Sequence, residues 1–345
     1  MRQVKLLNHG GRLNRAAQEF NIPVDDWIDL STGINPDHWP IPAIPEDCFT
    51  RLPETDDGLI DAAQQYYQAD NFLPVAGSQS AIQLLPKLRS KSTVAVPETG
   101  YAEHAYHWQL AGHDIIFYNT ADIDKIISDV DVLIIINPNN PTGESYTQKT
   151  LLKWHKELQS HHGWLIVDEA FIDCDTTDSL VAHSQQSGLI VLRSIGKFFG
   201  LAGIRSGFIF ADNMLLETIN EKLGQWTLAG ASRYLTKAAL LDTGWQQQTI
   251  TELKQSSTKI SDLISTYSGC QPTGCYLFKT ISHSDAEQLY ALFASNGILV
   301  RLLDNKQGVR FGLPKKDQWQ TVNDIFKKAF HQLHETKSEQ AKKTA

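Results

Sequence analysis

Much of what marks a metal, membrane or nucleic-acid protein is missing from this chain of 345 residues. Its four cysteines (Cys48, Cys174, Cys270 and Cys275) form no CxxC pair and share no zinc-type spacing with histidine, so neither a disulfide framework nor a metal site is indicated. Reduced, mostly buried thiols in a cytoplasmic protein are expected. The opening MRQVKLLNHGGRL has no apolar stretch of the kind a secretory leader needs. No run approaches the ~20 apolar residues of a membrane-crossing helix. Basic excess is also missing: 31 Lys and Arg stand against 39 Asp and Glu, a formal net charge of −8. That balance leaves no electrostatic footprint for nucleic acid or an anionic membrane, although a single basic pocket remains compatible with it. There is no Walker-type GxxxxGK[ST] loop, no internal repeat and no low-complexity tract.

What remains is ordinary for a globular enzyme: 41% apolar and 20% charged residues in 38.6 kDa. That is enough chain for one large α/β domain and a smaller one. Short apolar runs at 93–97, 115–118, 132–137, 164–168, 189–193 and 206–210 predict strands. They alternate with helical patterns at 78–89, 102–111, 147–161 and 214–223. VLIIIN is apolar throughout rather than alternating, as in a strand buried on both faces of a mostly parallel sheet. After Gly244 a polar-rich helix (246–267) leads into CYLFK, GILVR and GVRFG with helices at 285–295 and 317–334, which reads as a smaller α+β domain. The expected organisation is an N-terminal arm (1–45), a large domain (46–244), a small domain (245–335) and a frayed charged tail (336–345).

Four segments offer chemistry. INPNNPTGE (136–144) follows the strongest strand, where open α/β sheets bind ligands; Asn139 and Asn140 supply amide donors there. Read alone it is equally a stiff turn before a helix. WLIVDEAF (164–171) ends a buried strand in Asp168 and Glu169, carboxylates that are costly unless paired or used. A salt bridge or a helix cap is the plainer reading. RSIGKFFGLAGIRSG (193–207) sets Lys197 among Ile195, Phe198, Phe199 and Leu201. An apolar setting lowers a lysine's pKa, as a Schiff-base lysine requires, though a surface lysine after a strand also fits. Ser194, Arg205 and the neighbouring glycines can hold a phosphate. In AGSQSAIQLL, Gly77, Ser78 and Gln79 open a helix. That makes an anion site, or simply a serine N-cap.

Taken together, SxxK(x)7R and NPTG in this order resemble the fold-type I enzymes that use pyridoxal 5′-phosphate, of the class I/II aminotransferase kind, over nearly the whole chain. The resemblance implies an aspartate aminotransferase-like fold, with a mostly parallel sheet between helices and a small C-terminal α+β domain. It also implies a homodimer and a pyridoxal 5′-phosphate cofactor. Lys197 matches the lysine that carries the cofactor, and Asp168 the partner of its ring nitrogen. Asn140 matches the donor to the ring 3-oxygen. Ser194 and Arg205 match phosphate ligands, with Gly77, Ser78 and Gln79 at the helix N-terminus. Tyr101 matches the residue stacked on the ring, and Arg310 the arginine that grips a substrate carboxylate. Two positions depart from the common pattern. Phe171 replaces the tyrosine of DEAY, and Leu52 stands where many members have a tyrosine that reaches the partner subunit's cofactor.

Within that fold, HGGRL (9–13), DLSTGINP (29–36), DEAF and RSIGKFFGLAGIRSGF are similar to the L-threonine O-3-phosphate decarboxylases of cobalamin biosynthesis. This implies decarboxylation of L-threonine O-3-phosphate to (R)-1-amino-2-propanol O-2-phosphate. In that family the N-terminal arm covers the site. His9, amides around Gly10 and Gly11, and Arg301 would then face the substrate phosphate, with Asn35 by the substrate's carboxylate and Asn140 also at the substrate. The alternative is a histidinol-phosphate aminotransferase or another aminotransferase using the same cofactor.

Overall fold

The computed structural model describes residues 10–344, with side chains up to Thr336. The chain forms two compact units. One comprises His38–Asn140 and Glu144–Ile250; the other collects the chain up to Asp37, the three residues Pro141–Gly143, and everything from Thr251 on. The N-terminal segment is thus joined to the C-terminal one. It carries a helix, Leu13–Phe20, and a short strand, Ile28–Asp29, that pairs in parallel with Ile298–Leu299.

The larger unit is built on seven strands: β1 (Phe72–Val75), β2 (Thr93–Pro97), β3 (Asp114–Tyr118), β4 (Val132–Ile136), β5 (Trp164–Asp168), β6 (Leu189–Ser194) and β7 (Gly207–Phe210). Their order across the sheet is β1-β7-β6-β5-β4-β2-β3. Pairs from β6 to β3 are parallel, while β7 runs antiparallel to both β6 and β1. Every residue of β4 is buried, as its unbroken apolar run predicts. The strand β1 escapes sequence reading because Pro74 interrupts it. Proline is tolerated here because β1 lies at the sheet edge.

The smaller unit carries a four-stranded antiparallel sheet: β8 (Thr273–Cys275), β9 (Phe278–Ser282), β10 (Arg301–Leu302) and β11 (Gly308–Gly312), ordered β10-β11-β9-β8. CYLFK is therefore split between two strands. The final helix, Trp319–Thr344, runs through the charged tail. Among the described residues no helix is long and apolar enough to cross a membrane, and no cluster of three or more His, Cys, Asp or Glu could hold a metal.

A buried ionic cluster braces the ends of β5 and β6. The Arg193 guanidinium donates to Glu169 and Asp173, and all three side chains are at most 3% exposed. Ser179 Oγ and the Leu180 N–H donate to the Glu169 carboxylate at 2.6 and 2.7 Å. Tyr66 donates to Asp173 at 3.0 Å, and the Tyr67 ring lies 4.9 Å from the guanidinium. Burial pushes the Glu169 carboxyl up to about 7 against the pull of Arg193. Removing the cation strands two carboxylates in the core. Arg193→Met should lower unfolding free energy by about 3–5 kcal/mol, read from urea titration. A loss under about 1 kcal/mol would mean that the cluster does not brace the strand ends.

Candidate active site

Parallel strands bring the residues beyond their carboxyl ends to one edge of a sheet, which is why motifs distant in sequence meet. In this sheet Ile136, Asp168 and Leu192 lie in one row across β4, β5 and β6. Val75, Gly207 and Ser194 lie in another across β1, β7 and β6. Because β7 is antiparallel, its start lies at the edge where its neighbours end. That reversal brings Arg205, just before β7, to Ser194 and to the Gly77–Ser78 turn after β1.

The join is tight. A Cβ on Gly77 (φ +72°) would come within 2.9 Å of the Arg205 guanidinium, and one on Gly207 within 2.8 Å of the Ser78 amide nitrogen. Arg205 itself holds a left-handed backbone, φ 51° and ψ 57°. For a residue with a Cβ this conformation costs on the order of 1–3 kcal/mol, and such strain gathers at functional positions. Its Nη1 donates to the Ala202 carbonyl at 3.0 Å. Ser194 Oγ accepts from the Gly196 N–H at 3.3 Å, at the turn that leads to Lys197. The lysine is half-buried between buried Ile195, Phe198, Phe199 and Leu201, with its Nζ 5.4 Å from the centre of the Phe171 ring.

Asp168 is 4% exposed. The Ala170 N–H donates to its Oδ1 at 3.1 Å, and His104 Nε2 lies 3.0 Å from its Oδ2. His104, 2% exposed on the helix Glu103–Leu110 after β2, belongs to none of the sequence motifs. Its only signal was a histidine three residues after Tyr101. Tyr101 donates to Gln79 Oε1 at 3.0 Å, and Gln79 Nε2 donates to Glu103 at 2.8 Å. The Gln79 side chain is thus engaged with Tyr101 and Glu103, leaving its backbone N–H as the helix-start donor. Burial, followed by the charges of Glu103 and Asp168, pushes the Tyr101 phenol above its ordinary value, so it stays neutral. In the NPNNPTG turn the side chains of Asn137 and Asn139 bind the Tyr146 backbone and the Thr99 carbonyl, and Asn140 is half-buried beyond them.

The smaller unit holds the other sequence-selected residues. Arg310 on β11 is 7% exposed and donates to the Ser31 carbonyl at 2.7 Å. Its Cα partner across the β10–β11 pair is Arg301, which donates to Asp304 at 2.9 Å. Burial, then Arg301, pulls the Arg310 guanidinium down to about 10, so it remains charged at neutral pH. Asn35 is 3% exposed and accepts from the Asp37 N–H. Gly10 sits against the Ser31 carbonyl, where a Cβ would approach to 2.3 Å. His9 lies outside the described residues. Lys197, Asp168, Asn140, Ser194, Arg205, Gly77, Ser78, Gln79 and Tyr101 all belong to the larger unit, and Gly10, Asn35, Arg301 and Arg310 to the smaller.

Comparison with known proteins identifies the chain's family. The family model for aminotransferase class I and II matches residues 26–306. The chain is 45% identical over 309 residues to a threonine-phosphate decarboxylase of Pseudomonas aeruginosa, covering 90% of this chain and 93% of that one. Among solved structures it resembles a histidinol-phosphate aminotransferase from Sinorhizobium meliloti, in complex with pyridoxal 5′-phosphate, with TM-score 0.82 at 15% identity over 95% and 96% of the two chains. It also resembles an L-threonine-O-3-phosphate decarboxylase from Porphyromonas gingivalis, with TM-score 0.74 at 20% identity over 89% and 99%. On the span of the family match and the near end-to-end likeness to its bacterial relative, the chain belongs to the aminotransferase class I and II family.

Proposed function

We propose that this chain is a pyridoxal 5′-phosphate-dependent carboxy-lyase that converts L-threonine O-3-phosphate to (R)-1-amino-2-propanol O-2-phosphate, a step of cobalamin biosynthesis. The observation that carries the reading is the 45% identity, over 90% of the chain, to a protein named for that activity. The residues present fit the cofactor. A cradle at Gly77 and Gly207 that a Cβ would fill faces an arginine in strained backbone, and a buried carboxylate ends the neighbouring row. A homodimer belongs to the same reading. Ile41, Phe49, Leu52 and Trp226, each at least 52% exposed on the larger unit, are apolar surface of the kind a partner covers.

When bound, the cofactor draws electrons from whichever substrate Cα bond stands perpendicular to its ring. The protein's part is to hold, orient and move protons. Asp168, fixed by His104, would hold a proton on the ring nitrogen. Asn140 would donate to the ring 3-oxygen beside the substrate. Phe171 offers no hydroxyl there, where the family's tyrosine would donate a second bond. Ser194, Arg205, Ser78 and the amides after Gly77 would hold the cofactor phosphate, and Tyr101, anchored through Gln79, would pack on the ring. Lys197 is the residue that would carry the cofactor, and its amine would be placed to return a proton to the substrate Cα. Arg310 would grip the substrate carboxylate with Asn35 beside it, and Arg301, His9 and the amides around Gly10 and Gly11 would anchor the phosphate at its other end. Two anchors fix the torsion about Cα, and that torsion selects loss of the carboxylate over loss of the proton.

Arg310→Ala should cost about 2–5 kcal/mol in kcat/KM, the value of a buried charge-assisted pair. A fall in kcat as well as a rise in KM would show that the grip also sets the torsion. Unchanged kinetics would place the carboxylate elsewhere.

The reading as a whole is tested by supplying L-threonine O-3-phosphate with no 2-oxo acid. The purified enzyme should release CO2 over many turnovers, because a proton returned to Cα restores the starting enzyme. A single turnover that leaves pyridoxamine phosphate, with rapid cycling on histidinol phosphate plus 2-oxoglutarate, would instead make it an aminotransferase.

A further inference from the structure

Ser31 lies in DLSTGINP, has no part in the chemistry assigned above, and is only 1% exposed. Three separate stretches of the smaller unit meet on it. Its hydroxyl donates to Asp29 Oδ1 at 2.6 Å and accepts from the Gly11 N–H at 2.7 Å. Its carbonyl accepts from Arg310 Nη2, also at 2.7 Å. Gly10 lies against the same carbonyl, where a Cβ would approach to 2.3 Å. One small residue thus touches both the arm turn proposed to hold the substrate phosphate and the arginine proposed to hold the carboxylate.

The backbone beside Ser31 is fixed independently of the hydroxyl. The Leu30 N–H donates to the Leu299 carbonyl at 2.8 Å, and the Leu30 carbonyl accepts from the Gly312 N–H, at the end of β11, at 2.6 Å. Asp29 orients the hydroxyl. A carboxylate only accepts, and Asp29 Oδ1 also takes the Ser31 N–H at 2.8 Å. The Ser31 hydroxyl proton therefore goes to Asp29, which leaves a lone pair of Oγ for the Gly11 N–H. That bond occupies the Gly11 N–H itself, so a phosphate would meet the neighbouring amides of the turn.

We propose that Ser31, oriented by Asp29, is a positioning residue that sets the spacing between the phosphate anchor and the carboxylate anchor; this rests on the decarboxylase reading above. Both ends of the substrate must be held at once, because only then is the torsion about Cα defined. Ser31 carries both anchors, the turn on its side chain and Arg310 on its main chain. Removing the hydroxyl frees the turn and leaves the carbonyl that holds Arg310, so the loss falls on the phosphate end.

The test compares the wild-type holoenzyme with Ser31→Ala, Asp29→Ala and Asp29→Asn. Gly11 is exposed, so water can satisfy its N–H once the hydroxyl is gone, and Ser31→Ala should fold. KM for L-threonine O-3-phosphate should rise about three- to tenfold in Ser31→Ala and Asp29→Ala, the worth of one hydrogen bond. Asp29→Asn keeps an oxygen for Ser31 and should stay within about twofold of wild type. Without substrate, hydrogen exchange at the Gly11 amide, read by mass spectrometry on the segment that contains it, should quicken in both Ala variants and not in Asp29→Asn. A merely structural Ser31 would lower the melting temperature and leave KM and its dependence on Asp29 unmoved. A KM within about twofold of wild type in Ser31→Ala would overturn the assignment. Equal impairment of Asp29→Asn and Asp29→Ala would also overturn it, since charge and not position would then be the cause. If the wild type releases no CO2, the decarboxylase reading falls, and the exchange rates still decide whether Ser31 holds the turn.

Discussion

Asp168 is 4% exposed at the carboxyl end of a strand, where water cannot stabilise its charge. The fold meets that cost with a backbone N–H from Ala170 and with His104, itself buried. The next residue along, Glu169, is held in turn by Arg193, which directly precedes Ser194. The buried carboxylate, its histidine and the ionic brace behind it therefore fix the ends of β5 and β6 against each other. Those ends carry Asp168, Ser194 and, one turn on, Lys197. Movement in this brace would shift the proposed cofactor residues together.

The second constraint is topological. A sheet that was parallel throughout would leave Arg205 at the opposite edge, because the residue before a parallel strand lies at its amino end. The antiparallel β7 reverses this and faces Arg205 with Gly77, whose φ of +72° is a backbone conformation that residues with a Cβ rarely adopt. Arg205 accepts a left-handed backbone to make that turn. Glycine at 77 and 207 is thus a requirement of the cradle and not of local flexibility.

Asn140, Asp168 and Ser194 stood out in the sequence because they come at or just after the ends of apolar runs, and parallel strands carry the residues at their carboxyl ends to one edge of the sheet. The central strands were legible for the same reason. The contacts that hold the site were not. His104 meets Asp168 across 64 positions, through the packing of a helix on the sheet, and no local pattern encodes that. The Gln79 side chain looked like an anion donor from its place at a helix start, yet it bridges Tyr101 and Glu103. Residues 1–45 read as an arm that packs on other parts of the chain, and those up to Asp37 group with the C-terminal part. That grouping includes a two-residue parallel pairing, Ile28 with Ile298, and the bond from Arg310 to the Ser31 carbonyl, contacts too short and too distant to be read from periodicity.

The central claim is that the charge of Asp168, and not merely its shape, supports the chemistry. Asp168→Asn keeps the size and can keep a hydrogen bond to His104 while removing the charge. Turnover of L-threonine O-3-phosphate by the cofactor-loaded Asn variant should fall by about a hundredfold or more, in the range set by losing one preorganised electrostatic group. Its melting temperature should stay near or above that of the wild type, because a buried charge is gone. A variant that folds, holds the cofactor and turns over at the wild-type rate would contradict the account.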